Sequence, residues 1–86
     1  MTVMVTILYF ARLRETLGKA QEQLELPRGV ADVNSLRAHL ATRGAAWADA
    51  LGAPSLRAAV NQDMAVGETP VQAGDEVAFF PPVTGG

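Results

Sequence analysis

Cysteine is absent from this chain. That excludes disulfides, a thiolate nucleophile and any cysteine-based zinc or iron–sulfur site. Histidine occurs once, at His39, so there is no second imidazole for a Ser–His–Asp arrangement and no histidine cluster for a metal. His39 sits inside a helical pattern, where a solvated or half-buried structural role is expected. No apolar run approaches the roughly 20 residues that a membrane-spanning helix needs, and no basic segment precedes an apolar stretch. A soluble, cytoplasmic protein with no membrane partner is expected. Positive charge is missing from the last third: no Lys or Arg follows Arg57, whereas Asp63, Glu68, Asp75 and Glu76 all do. Those acids read either as ordinary turn and surface residues or as a surface for a basic partner. A formal net charge of −2 argues against nucleic acid as the main partner. The chain is poorly equipped for side-chain catalysis.

What is present is the composition of one small globular domain: 86 residues, 49% hydrophobic and 19% charged, enough for a single core. Residues 2–10, TVMVTILYF, are rich in β-branched and aromatic side chains and read as a strand. Alternation puts Val3, Val5, Ile7 and Tyr9 on one face and Met4, Thr6, Leu8 and Phe10 on the other; Thr6 marks the second face as the outer one. Residues 11–18 read as a short helical turn with Gly18 at its C-terminal end. Residues 20–26 read as an edge strand stopped by Pro27 and Gly29. The short connection between these strands implies antiparallel pairing.

Asp32 is an N-cap candidate for a helix that buries Val33, Leu36 and Leu40 and ends at Gly44. Residues 45–52 read as one further helical turn, with Trp47 as a core or helix-packing aromatic. Residues 55–61 alternate as a third strand, Asn61-Gln62-Asp63 turn into the apolar run Met64-Ala65-Val66, and residues 76–80, EVAFF, form the last strand. Val77 and Phe79 share one of its faces, Ala78 and Phe80 the other. Two strands, a helix and further strands make an α+β layout with one main helix on one face of a mixed sheet of four to five strands. The helix gives room for a parallel crossover, so the first and last strands are expected side by side. That is the β-grasp, or ubiquitin-like, arrangement, here spanning residues 1–80.

With one long helix on one face, Leu8, Phe10, Met64 and Phe80 are left on the other as an apolar partner site, unless the short helix at 11–18 or a loop folds over them. Residues 81–86, PPVTGG, are expected to be a flexible tail. Pro81 and Pro82 lock two φ angles and favour polyproline II, so the tail has a stiff base. It spans at most roughly 20 Å. Gly85 and Gly86 carry no side chains and suit a narrow channel leading to a buried reaction centre. A terminal carboxyl is ionised at neutral pH and is a poor electrophile; an adenylate made from ATP by another enzyme turns it into an acyl donor that a sulfur or nitrogen nucleophile attacks.

The stretches LYFARLRE (8–15), AAVNQ (58–62) and GDEVAFFPPVTGG (74–86), with the helix carrying Leu36, Arg37 and His39, resemble the small, sulfur-carrier subunit of molybdopterin synthase over essentially the whole chain. The last stretch is the most specific, because terminal Gly-Gly alone is shared with thiamine-pathway sulfur carriers and ubiquitin-like modifiers. The resemblance implies that an E1-like enzyme adenylates Gly86 and that a persulfide donor then converts it to a thiocarboxylate. It also implies insertion of the tail into a large subunit within a heterotetramer, and sulfur transfer there to cyclic pyranopterin monophosphate. The catalytic side chains, including a key lysine, are implied to belong to the large subunit. Gly86 and Gly85 are then the reacting end, and Phe10, Met64, Phe80, Pro81, Pro82, Val83 and Thr84 the partner-binding residues. No cofactor or metal is expected on this chain; ATP is consumed by the activating enzyme, which makes nucleotide binding a property of the complex. Met64 stands where the family commonly has Leu. The readings that compete with this one are a carrier for thiamine or another sulfur pathway, a ubiquitin-like protein modifier, and a purely non-covalent interaction module.

Overall fold

A computed structural model describes residues 3–82 of the chain. Strand β1, Met4–Tyr9, alternates between exposed or half-buried and buried positions, as its side-chain pattern requires. It leads through Phe10 and Ala11 into helix α1, Arg12–Leu17, which ends with Gly18 at φ 77° and its N–H donating to the Arg14 carbonyl. That left-handed position is one that glycine adopts without a Cβ clash. Strand β2, Gln21–Glu25, then runs antiparallel to β1, with Leu8 opposite Gln21 and Met4 opposite Glu25.

Helix α2, Val33–Ala41, starts where the sequence predicts. The Asp32 carboxylate accepts from the Ser35 N–H at 2.8 Å, and the Asp32 N–H donates to the Ser35 hydroxyl at 3.1 Å. The reciprocal pair satisfies two donors that the first turn otherwise leaves open. Residues 45–52, expected as one further turn, instead form a separate helix α3, Ala45–Gly52. Gly44, at φ 149°, breaks the path from α2, and its carbonyl accepts from the Ala48 N–H. The far end of α3 is closed by Arg37 of α2, whose Nε and Nη2 donate to the Leu51 and Ala53 carbonyls at 2.8 and 3.0 Å. A guanidinium there satisfies carbonyls that have no intrahelical partner. The expected main helix α2 is therefore accompanied by helices at both stretches read as helical turns, and among the described residues α1, α2 and α3 share the same side of the sheet.

Strands β3 (Arg57–Val60), β4 (Asp63–Ala65) and β5 (Glu76–Phe80) complete a five-stranded sheet in the order β2-β1-β5-β3-β4. β1 and β5 are parallel neighbours at its centre, with Ile7 opposite Val77 and Tyr9 opposite Phe79. The fold is the β-grasp anticipated from the order of elements, with its two chain-terminal strands paired. The core lies on the helical side: Val5, Ile7, Tyr9, Ala58, Val60, Val77 and Phe79 from the sheet meet Leu13, Val33, Leu36, Leu40 and Leu51 from the helices. Each fully buried large side chain contributes about 1.5–3 kcal/mol. Val3 departs from the expected core face and is 38% exposed. It precedes β1, and the pairing of β1 with β5 begins only at Thr6, so the sheet is narrow where Val3 lies.

A compact cluster joins the helices to the sheet near the end of β1. The Tyr9 hydroxyl donates to Glu22 Oε2 at 2.8 Å, and Arg43 holds both Glu22 oxygens, at 2.7 and 3.0 Å. The Arg43 guanidinium also lies 4.6 Å from the centre of the Trp47 ring, and Trp47 meets Tyr9 edge to face at 5.6 Å. Trp47 is the helix-packing aromatic the sequence predicts, and His39 is half-buried on α2. Burial pushes the Tyr9 phenol up, and its bond to Glu22 adds to this. Burial also works to raise the Glu22 carboxyl, but hydrogen bonds from Arg43 and Tyr9 outweigh it and leave Glu22 below its ordinary value.

Candidate functional site

The side of the sheet opposite the helices has a row of four side chains set by register. Leu8 lies opposite Ala78, Ala78 opposite Ala59, and Ala59 opposite Met64. The two alanines form a shallow floor, with Leu8 and Met64 as its sides. One row nearer the end of β5, Phe80 lies opposite Arg57; Phe10 follows Tyr9, and its N–H donates to the Phe79 carbonyl at 3.2 Å. Met64 is 68% exposed and Phe10 47%, while Leu8, Ala78 and Phe80 are half-buried. The same face turns polar away from this end, where Gln23, Thr6 and Glu76 lie side by side. An apolar patch bounded by polar residues on an open sheet is a surface suited to a protein partner.

Helix α1 does not cover this patch. Its Leu13 belongs to the core on the helical side, and the helix packs against α3. The reason lies in the turn before it. Ala11 has φ 55° and ψ −129°, and the Leu13 N–H donates to the Phe10 carbonyl. A turn of this kind favours glycine at its first central position; with alanine there the backbone is strained. The bend sends α1 to one side of the sheet and leaves Phe10 on the other.

Pro81 and Pro82 continue β5 and are half-buried. They form one wall of a groove of about 470 Å³ whose other lining includes Arg12, Leu13 and Thr16 of α1, Ala46, Asp49 and Ala50 of α3, and Ser55. The base of the tail thus separates two surfaces, the open apolar patch and this groove. Val83, Thr84, Gly85 and Gly86 lie outside the described residues. Phe10 and Phe80 are brought onto one face and one end of the sheet, as alternation predicts, and Met64 joins them from the turn that leads into β4. Ala59 and Arg57 are the members that the sequence reasoning missed; alternation along residues 55–61 places both on the outer face. The acids of the last third divide: Asp75 holds the β3–β4 turn, accepting from Asn61 Nδ2 at 3.0 Å and from the Gln72 N–H at 2.8 Å, whereas Asp63 and Glu68 are exposed. Among the described residues no group of three or more His, Cys, Asp or Glu side chains is placed to hold a metal ion, and no helix is long and apolar enough to cross a membrane.

Residues 7–86 match the model of the ThiS family. The chain belongs to the ThiS family. It is similar to the molybdopterin synthase sulfur carrier subunits of Haemophilus influenzae, 46% identical over 83 residues, and of Escherichia coli, 45% identical over 83 residues; each alignment covers 96% of this chain and the whole of the relative. Among solved structures it resembles SAMP1 from Haloferax volcanii, with a TM-score of 0.76 and 25% identity over 96% of this chain and 99% of that one. It also resembles a chain in the protein–protein complex of subunits 1 and 2 of molybdopterin-converting factor from Helicobacter pylori, with a TM-score of 0.62 and 27% identity over 96% and 99% of the two chains.

Proposed function

We propose that this chain is the sulfur-carrier subunit of a molybdopterin synthase, with the Gly86 carboxylate as its functional group. The observation that carries the reading is the position of the tail's base. β5 ends in the middle of the sheet, with Phe80 on the open face and Pro81 directly after it. A large subunit seated on Leu8, Phe10, Met64 and Phe80 receives residues 83–86 at its own surface, within roughly 20 Å of Pro81. The likeness to a chain of the Helicobacter pylori complex of subunits 1 and 2 supports such a partner. The apolar floor supplies affinity, and Phe80, next to Arg57, is the anchor at its edge.

The chemistry follows from the carboxylate. Ionised at neutral pH, it resists attack until an E1-like enzyme transfers AMP to it from ATP, releasing pyrophosphate. Sulfur from a persulfide donor then attacks the carbonyl carbon; the carbonyl carbon–oxygen bond to AMP breaks and AMP leaves with the electron pair. Release of the sulfur from its donor as a free terminal thiocarboxylate needs a thiol to take up the other half of the persulfide. Inside the large subunit the thiocarboxylate gives its sulfur to cyclic pyranopterin monophosphate, and the carrier returns to the carboxylate. In this scheme the residues of this chain bind, orient and deliver, within a heterotetramer, in the cytoplasm, and none acts as acid or base.

Incubation with an activating enzyme, ATP and a persulfide source is expected to replace one oxygen by sulfur at Gly86, read by intact mass; an unchanged mass in the presence of an enzyme competent on a control carrier sinks the reading. Deleting Gly86 is expected to abolish the exchange with no change in thermal stability. The likeness to SAMP1, a small archaeal modifier protein in a closely matching structure from the same organism, favours a second reading, conjugation through Gly86 to protein lysines. Covalent ladders in cells that disappear on deleting Gly86 would identify it.

A further inference from the structure

One cation stands inside the open apolar patch. Arg57 is exposed at the start of β3, opposite Phe80, while Leu8, Phe10, Ala59, Met64 and Ala78 around it carry no charge. On the other side of Arg57 the register of β3 with β4 runs from Ala58 and Ala65 to Val66, which is 70% exposed. Directly opposed side chains in a sheet start about 5 Å apart, so Phe80 and Val66 flank the stem of this arginine. Other cations are matched within the domain: Arg43 holds Glu22, Arg37 closes the end of α3, and Arg12 shares its groove with Asp49. Among the described residues Arg57 makes no ion pair and no side-chain hydrogen bond. The acid that shares this face on β5, Glu76, lies four residues before Phe80, about 13 Å away at the rise of a strand.

We infer that Arg57 decides which partner the open face accepts, and that the large subunit meets it with an aspartate or glutamate carboxylate. The inference rests on the proposed seating of that subunit on this face. A partner that covers Phe80 and Met64 also takes water from Arg57 beside them. A guanidinium cannot shed its proton and brings five N–H donors. Covered without an acceptor, it leaves a full charge unpaired, which is costly. A carboxylate is the side-chain group that cancels the charge and accepts two parallel hydrogen bonds from the guanidinium edge. The surroundings add a second restriction. Asp63 and Glu68 are exposed at and just beyond β4, so a uniformly acidic surface is repelled, and a carboxylate is welcome only over Arg57. Proteins that offer an apolar surface alone are turned away by the unpaired charge, and the matching large subunit is not.

The test measures binding of the full chain to its large subunit by surface plasmon resonance, with Phe80→Ala as the control for the face itself. Arg57→Leu makes the patch more apolar, yet is expected to bind about 30-fold or more weaker, because it strands the partner's carboxylate. The loss is expected in faster dissociation, as for a covered ion pair, with association little changed. Arg57→Lys, which keeps the charge without the two-pronged geometry, is expected to fall between Arg57→Leu and the parent. Urea unfolding midpoints of both variants should match the parent, which a structural role for Arg57 would not allow. Arg57→Leu binding as tightly as the parent, while Phe80→Ala binds weakly, overturns the inference and leaves the proposed docking face standing. A loss confined to slower association, and erased by salt, overturns it too, since that is the mark of diffuse steering. If the parent chain does not bind, or Phe80→Ala binds as well as the parent, the docking face is wrong and the inference falls with it.

Discussion

Phe79 and Phe80 are neighbours in β5, yet Phe79 is wholly buried beneath the helices and Phe80 stands half-exposed beside Arg57. The same division runs along the sheet. Ile7, Tyr9, Ala58 and Val77 meet three helices, while Leu8, Phe10, Ala59, Ala78 and Met64 meet none. Alternate residues of the same strands thus serve different ends: one face holds the domain together and the other is apolar without any such role. Burial of Phe79 is fixed by the fold, whereas Phe10 and Met64 stand exposed in an apolar patch of the kind that suits a protein partner.

The contrast is sharpest where the effect is largest. Phe79→Ala empties a site at the centre of the core, where Phe79 stacks 6.5 Å from Tyr9, and is expected to cost about 3–5 kcal/mol in urea unfolding. Phe80→Ala is expected to leave the unfolding midpoint nearly unchanged while weakening binding to the large subunit by about 2 kcal/mol in calorimetry, the scale of an interface anchor. If the two substitutions destabilise the free domain equally, the division between the faces is wrong. Met64→Asp offers a second check on the open face: a carboxylate beside the Ala59 floor is expected to reduce binding without affecting stability.

A smaller effect belongs to the helical side. Glu22→Gln removes charge-assisted bonds to Arg43 and is expected to cost about 1–2 kcal/mol. The pH dependence follows from the lowered Glu22 carboxyl. A carboxylate with a depressed folded pKa stabilises fully above its unfolded value, about 4.3, and that contribution is lost as the pH falls through the folded value. Unfolding midpoints of the parent chain should therefore drop below about pH 4, and Glu22→Gln should flatten part of that drop. The smallest effect tests neither face but the turn that joins β3 to β4. Asn61 and Gln62 have φ of 52° and 71°, and Gln62 has no side-chain reason for this conformation among the described hydrogen bonds. Gln62→Gly is expected to stabilise by about 0.5 kcal/mol, since a turn with two positive φ angles favours glycine at its second position.

Much of this was legible in the sequence because period-2 alternation is a strong signal in short strands. On that pattern alone Val5, Ile7, Tyr9, Val77 and Phe79 belong to the core and Phe10 and Phe80 to the outside; Met64 joins them from the turn after residues 55–61. The parallel pairing of β1 with β5 was legible from the order of elements and the length of the crossover. Three features were not. The closing of the end of α3 depends on Arg37 reaching across from α2, a contact fourteen and sixteen residues away along the chain. The bend at Ala11 is invisible because alanine there goes against local preference, so nothing in the residue marks a turn. The Tyr9–Glu22–Arg43–Trp47 cluster joins four separated segments, and no local spacing announces it.

The central pairing of β1 with β5 has a consequence for how the protein is made. The first strand to leave the ribosome must wait beside the helices for the last, and β5 ends only six residues before Gly86. Such long-range pairing is the slow kind. The sheet therefore closes only once β5, the last of the described strands, has left the exit tunnel. Until then Ile7 and Tyr9 lack their neighbours Val77 and Phe79, and the core on the helical side stays open.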